Sequence, residues 1–96
     1  HELLMTKTDL IIKTKERLKV YSQKDIAYSI EIIFNSMTEA LKKNERIEIR
    51  GFGNFTIRER KARIGRNPKS GASVALADRK VPFFKTGKDL RLKVDR

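Results

Sequence analysis

The spacing of hydrophobic positions along this chain divides it into a helical half and a strand-like half. In "KTDLIIKTKERL", Leu10, Ile11, Thr14 and Leu18 recur at the three- and four-residue spacing of one helical face. Thr6 is a good N-cap, and Asp9 three residues later completes a capping-box pattern. The pattern breaks around Val20–Tyr21, after which Ser22 and Asp25 repeat the same start signal. A longer helix follows, with Ile26, Ile30, Ile33, Phe34, Met37 and Leu41 at helical spacing. Ala27, Tyr28 and Ile32 widen its apolar surface beyond what one short neighbouring helix covers. Such a face calls for a second partner, and the same helix from another chain would serve. Lys42, Lys43 and Asn44 close the helix with cations near its negative pole and a residue that tolerates left-handed backbone.

From Arg46 the period falls to two. Ile47 and Ile49 face one side of a strand; Arg46, Glu48 and Arg50 face the other. Gly51 and Gly53 bracket Phe52 in a predicted tight turn. "FTIRERKAR" resumes a strand in which Phe55 and Ile57 face the core, and then apolar residues run out. "GRNPKSG", Gly65 to Gly71, has the composition of a turn; "ASVALA" returns as a strand and "KVPFF" continues it. Pro82 inside that run argues for an edge strand or a bulge. Thr86 and Gly87 open a short helix with Leu90 and Val94 on one face. Phe34, Phe52, Phe55 and Phe84 read as core rather than as base-stacking platforms. The hairpin over residues 58–78 has little to bury. Its legs would reach about 25–30 Å at strand rise. An isolated two-stranded ribbon is marginal in water, so this one is expected to stay mobile until something binds it.

Length and charge sharpen the picture. A chain of 96 residues makes one small domain, and such a domain buries only roughly 60–70% of its unfolded surface. His1 to Leu4 precede Met5, which reads as an initiator, so residues 1–5 are expected to be a short tail. With no cysteine, disulfides and thiolate metal sites are excluded. No apolar run approaches the roughly 20 residues of a membrane span, and the start lacks the apolar core of a secretory signal. The net charge of +11 is unevenly spread. Residues 1–45 carry eight cations and seven anions, whereas 58–71 carry six cations and one anion and 79–96 seven cations and two anions. That asymmetry points to a polyanion, for which nucleic acid is the default.

Catalytic chemistry finds no foothold. The single histidine is His1, "GFGNF" lacks the ending of a phosphate-binding loop, and no metal-ligand spacing occurs. The chain is therefore expected not to be an enzyme and to need no cofactor. The hairpin is more informative. Arg58, Arg60, Lys61, Arg63, Arg66 and Lys69 line its legs and tip. Arg66 suits a narrow, electronegative minor groove, and Asn67 can hydrogen-bond to groove acceptors. Pro68 has two readings. Proline suits turns for its own sake; alternatively a rigid apolar ring at a tip collared by cations can push between base pairs and unstack them.

"GFGNF", "GRNPKSG" and "KVPFFKTGKDL" resemble the signature stretches of the bacterial histone-like DNA-bending family that includes HU and integration host factor. "ERIEIRGFG", Glu45 to Gly53, resembles in particular the beta-type branch of integration host factor. The resemblance runs from about Thr6 to Asp95. It implies an α+β fold: an intertwined dimer with a helical-hairpin base, a three-stranded antiparallel sheet, a protruding β-ribbon arm and a short C-terminal helix. On this chain the helical dimerisation base would be 6–44, the body 45–57 with 79–96, and the DNA-binding arm 58–78.

By the same resemblance Pro68 matches the intercalating proline, and Arg66 and Asn67 match arm-tip minor-groove contacts. Arg58, Arg60, Lys61, Arg63 and Lys69 match arm positions near the backbone or groove. Lys7, Lys80, Lys85 and Lys88 match cations of the body and third helix near phosphates, where helix N-termini can also bind phosphate. Arg46, Glu48 and Arg50 match a charged strand face that bears on sequence preference. A glutamate facing DNA would make sense by holding Arg50 in one geometry; a plain ion pair without readout is the other account. Two departures stand out. Ile64 occupies a position where small or hydroxylated residues are common and makes the ribbon edge more apolar, and Phe83 precedes the family's phenylalanine, Phe84. The implied function is architectural: bending double-stranded DNA in nucleoid organisation, recombination and transcription regulation, as a homodimer or with a related subunit, in the bacterial cytoplasm at the nucleoid. No small-molecule substrate or membrane partner is implied. The competing readings are a basic RNA-binding or ribosome-associated module and a binder of acidic proteins.

Overall fold

The computed structural model describes residues 3–96, and His1 and Glu2, with the expectation of a tail placed on them, lie outside that range. The elements are α1 (Lys7–Arg17), α2 (Gln23–Lys42), β1 (Ile47–Ile49), β2 (Gly53–Arg60), β3 (Arg63–Arg66), β4 (Ser73–Leu76), β5 (Arg79–Thr86) and α3 (Lys88–Val94). The α+β class expected from the sequence is the one found. The chain forms two compact units, the first ending at Glu39 and the second comprising Ala40–Arg96. No helix among the described residues is long and apolar enough to cross a membrane.

In the first unit, local chemistry sets both helix starts. The Thr6 hydroxyl accepts from the Asp9 N–H at 3.1 Å and the Asp9 carboxylate accepts from the Thr6 N–H at 3.0 Å, a complete capping box. Donation to the carboxylate by the Thr6 N–H, and next by the Thr6 side chain, favours the ionised form and holds the Asp9 carboxyl below its ordinary value. Ser22 repeats half the device, its hydroxyl accepting from the Asp25 N–H at 3.0 Å. Between the helices Lys15 turns its ammonium onto the carbonyls of Lys19 and Tyr21 and fastens the connecting turn. Ile26 and Ile30, one helical turn apart on α2, are the only buried hydrophobic side chains among the described residues. Farther along the same stripe Ile33 and Phe34 are exposed, Phe34 by 41%, so the expectation that Phe34 lies in a core fails for the single chain. Tyr28 and Ile32, four residues apart on another side of α2, are exposed as well. At the end of α2, Asn44 takes the left-handed conformation, with φ of 61°.

In the second unit, the chain turns between Ile49 and Phe52, where the Phe52 N–H reaches the Ile49 carbonyl at 2.9 Å and Gly51 adopts φ of 82°. The antiparallel sheet has the order β1-β2-β5. Its apolar face carries Phe84, whose ring centroid lies 4.7 Å from that of Phe55 and 5.6 Å from that of Phe52. Phe55 and Phe84 are half-buried; Phe52 remains exposed despite its contact, a second departure from the expected core. Pro82 sits opposite Ile57 on the edge strand β5 in an unbroken register, so the edge reading holds and no bulge is present.

The strand expected to run through "FTIRERKAR" is interrupted. The β2–β5 ladder ends at the pair Arg60–Arg79, and a separate two-stranded ladder, β3–β4, begins at Arg63–Leu76. Across the gap the Ala62 N–H donates to the Asp78 carboxylate. The one acidic residue between Arg60 and the end of β4's connection thus serves as a clasp at the ribbon's root.

Candidate nucleic-acid interface

Strand register decides which charged side chains share a surface. In β2 and β5, Asn54 faces Lys85, Thr56 faces Phe83, Arg58 faces Val81 and Arg60 faces Arg79. Alternation places these on one side of the sheet, with Glu48 of β1 opposite Asn54. The other side carries the pairs Phe55–Phe84, Ile57–Pro82 and Glu59–Lys80. The cationic face is thus the reverse of the aromatic core. Arg79 belongs to it although the sequence reading passed it over; pairing "RKVPFFKT" against "GNFTIRER" by alternation would have revealed it.

Arg58 does more than stand on this face. Its guanidinium carbon lies 3.5 Å from the centroid of the Phe83 ring, a close cation–π contact between diagonal neighbours on adjacent strands. A flat guanidinium held on a ring keeps its N–H edge available to an anion. The Phe83 that interrupts the expected motif therefore has a definite neighbour.

Six expected contact residues sit in local settings that bear on the role assigned to them. Lys80 projects from the aromatic side of the sheet, and its ammonium donates to the Lys42 carbonyl at 3.1 Å, at the negative end of α2. It is not on the surface that Arg58, Arg60 and Lys85 share. Lys7, at the first position of α1, pairs its ammonium with the Glu31 carboxylate on α2. Glu48 associates with Arg46, Nη2 to Oε1 being 4.0 Å, both side chains being exposed. In the free chain this approach is to Arg46, while Arg50 lies beyond the end of β1 at the turn. An exposed pair at that distance contributes only about 0–1 kcal/mol. Lys88 opens α3 and is exposed, while the Gly87 N–H before it is committed to the Phe52 carbonyl at 2.9 Å. Glu48, Arg50, Gly51, Asn54 and Gly87 line an open depression of about 460 Å³.

The ribbon tip is built to hold its shape. The Asn67 N–H donates to the Ala72 carbonyl at 2.9 Å, and the Gly71 N–H to the Asn67 carbonyl at 2.7 Å. The Asn67 Oδ1 accepts from the N–H groups of Lys69 at 2.8 Å and Ser70 at 3.3 Å. This is an Asx turn that skips the one residue without an N–H, Pro68, so proline fits there at no loss of hydrogen bonding. Gly71 supplies the left-handed corner, with φ of 73°. The Arg66 Nη1 donates to the Gly71 carbonyl at 3.0 Å and stations the guanidinium beside the tip. Asn67 was expected to offer groove contacts; its Oδ1 is spent inside the turn, and the Nδ2 hydrogens are the donors its amide has left. Pro68, Lys69 and Ser70 are exposed, with Arg66 and Arg63 behind them. The ribbon therefore presents a rigid apolar ring at the apex of a cationic stem.

A profile described as bacterial DNA-binding protein matches residues 5–95. The integration host factor subunit beta of Colwellia psychrerythraea (strain 34H) is 50% identical over 91 residues, 95% of this chain and 96% of that one. That of Herminiimonas arsenicoxydans is 48% identical over 91 residues, 95% of this chain and 90% of that one. Among solved structures, the Anabaena HU–DNA cocrystal superposes with a TM-score of 0.81 at 33% identity, covering 94% of this chain and 97% of that one.

Proposed function

The chain belongs to the bacterial DNA-binding protein family of HU and integration host factor, and on that premise we propose that it bends double-stranded DNA as a dimer by placing each ribbon in a minor groove. Architectural DNA binding, rather than catalysis, is the function of that family. The observation that carries the bending mechanism is the tip: Pro68 stands exposed at its apex, held by the Asn67 turn and flanked by Arg66. A wedge must be stiff to unstack bases, and this one is fixed on both sides. Unstacking costs a few kcal/mol per step and is offset by the extra protein surface that bent DNA meets.

In this reading residues 6–44 form the dimerisation base, 45–57 and 79–96 the body, and 58–78 the arm. The exposed Ile33 and Phe34 on the same stripe as buried Ile26 and Ile30 support the dimer, since a second copy would complete their burial. Arg58, Arg60, Lys61, Arg63, Arg66 and Lys69 neutralise phosphates along the arm; Lys85, Lys88, Arg46 and Arg50 do so on the body, joined by Arg79. Lys7 and Lys80 would reach phosphate with the ammonium hydrogens that their partners in the free chain leave over, or by exchanging those partners. Counterion release supplies most of the affinity and makes it fall steeply with salt. Nucleoid association in a bacterial cytoplasm follows from the same function, with recombination and transcription regulation as processes served by the bend.

The test compares Pro68→Ala with the unaltered protein on two substrates at one salt concentration, reading affinity and bend by energy transfer between duplex ends. The expected result is loss of bending on intact duplex with affinity for nicked or pre-kinked duplex retained. Equal loss on both substrates would count against the wedge.

A further inference from the structure

The two faces of the β3–β4 ribbon differ. Ile64 stands opposite Ala75 and Arg66 opposite Ser73 on one face; Gly65 faces Val74 and Arg63 faces Leu76 on the other. The second face closes on itself. A Cβ added to Gly65 would meet the Leu76 Cδ1 at 3.3 Å, so the leucine lies over the glycine, and both are half-buried. The first face is open: Ile64 is 76% exposed and Ala75 beside it is exposed too. Arg66, held by the Gly71 carbonyl, marks the tip end of this open face.

An isoleucine left bare in the middle of a two-stranded ribbon is a liability in solution, where edge and face invite self-association. Its surroundings narrow the choice of what covers it. Arg66 shares its face, and Lys61, Arg63 and Lys69 lie close to it along the chain, a cationic setting suited to a polyanion and hostile to a basic partner such as a second ribbon. A polyanion with an apolar inner surface is needed. The minor groove of a duplex fits, because deoxyribose C–H groups line its walls while the phosphates run along its rims, and it is only about 6 Å wide.

We infer that the ribbon lays its Ile64–Ala75 face against the wall of the minor groove, and that Ile64 supplies a share of the affinity that salt does not remove. The inference rests on the groove-binding reading given above. The cations engage the rims and set the salt dependence; Ile64 carries no charge and displaces no counterion, so its contribution is the same at every salt concentration. Burying an isoleucine side chain corresponds to about a tenfold gain in binding.

The experiment measures duplex affinity of the full chain over about 50–200 mM salt for the unaltered protein and for Ile64→Ser, Ile64→Leu and Val74→Ser. Thermal unfolding confirms that each variant is folded. Ile64→Ser is expected to weaken binding about tenfold at each salt concentration, with the slope of log affinity against log salt unchanged. Ile64→Leu, which keeps the apolar area, should retain affinity, and Val74→Ser on the other face should stay within about twofold. Undiminished binding by Ile64→Ser, an equal loss for Val74→Ser, or a changed slope for Ile64→Ser each overturns the assignment of this face. Failure of the unaltered protein to prefer duplex would instead sink the groove reading beneath it, and the face assignment with it.

Discussion

Gly53 is the position where a single methyl group should do the most damage. It begins β2, pairs with Thr86 and is buried. A Cβ there would lie 2.5 Å from the Lys85 carbonyl oxygen, and 2.6 and 2.7 Å from two atoms of the Phe84 ring. The ring can swing aside only by leaving its packing against Phe52 and Phe55. The carbonyl can retreat only by moving β5 within the ladder. Overpacking of a filled site costs about 1–3 kcal/mol, and two rigid obstacles place Gly53→Ala at the upper end. For a domain of this size, each kcal/mol moves the midpoint by about 4–8 °C, so a fall of about 12–24 °C is expected. Thermal unfolding followed by circular dichroism reads this, at matched protomer concentration because association shifts the midpoint. Gly71→Ala is the control. Nothing lies within 4 Å of a Cβ at Gly71, and its φ of 73° alone makes alanine unfavourable, by about 1–2 kcal/mol confined to the ribbon. A Gly53→Ala midpoint within about 3 °C of the unaltered protein would refute the steric reasoning.

Further consequences are as direct. Phe83→Leu keeps an apolar residue at its position but removes the ring under Arg58, so it should weaken duplex binding about two- to fivefold, the value of an exposed cation–π contact. In a double-mutant cycle with Arg58→Ala that loss should vanish; independent losses would mean that the ring does not position the arginine. At the start of α1, the lowered Asp9 carboxyl stabilises the fold above the ordinary carboxylate range, and this contribution disappears as pH falls through the folded-state value. Asp9→Asn should therefore unfold at a lower temperature than the unaltered protein at pH 7, and the gap should begin to narrow near pH 4 and close as the pH passes below the lowered folded-state value. A gap that persists in acid would show that the carboxylate charge is not responsible.

The sequence was most informative where structure is local. Thr6 with Asp9 and Ser22 with Asp25 announce helix starts through bonds three residues apart, with the full reciprocal pair at the first start and the hydroxyl half of it at the second. Asn44 announces a left-handed stop, and Pro82 an edge strand. The sequence was least informative about which surface each group would meet. Helical spacing marks Phe34 as apolar and therefore destined for burial, but a period does not say in which chain the covering atoms reside. The charge count placed Lys80 with the other cations, whereas the period of two places it on the reverse of the sheet, where α2 ends. Glu48 had two arginines within reach, and only side-chain geometry chose Arg46. The gap at residues 61–62 left no trace in the hydrophobic pattern, because the ribbon has no core face there whose alternation could falter. Of the candidate interface, the roster of cations was legible, but its division between two faces and the bracing of the tip were not.

The ribbon is not one uniform blade: its ladder stops at Arg60–Arg79, resumes at Arg63–Leu76 and is bridged between them by the bond from Ala62 to Asp78, so bending would concentrate at this joint. Pro68 lies about 20 Å beyond the joint at strand rise, so flexing by about a tenth of a radian carries it about 2 Å. Successive base steps are separated by about 3.4 Å along a strand, so modest play at this elbow spans much of the distance from one step to the next. If the ribbon wedges a duplex as proposed, the place where it gives way would be chosen by the more yielding of neighbouring steps, with the protein supplying a reach instead of a fixed ruler.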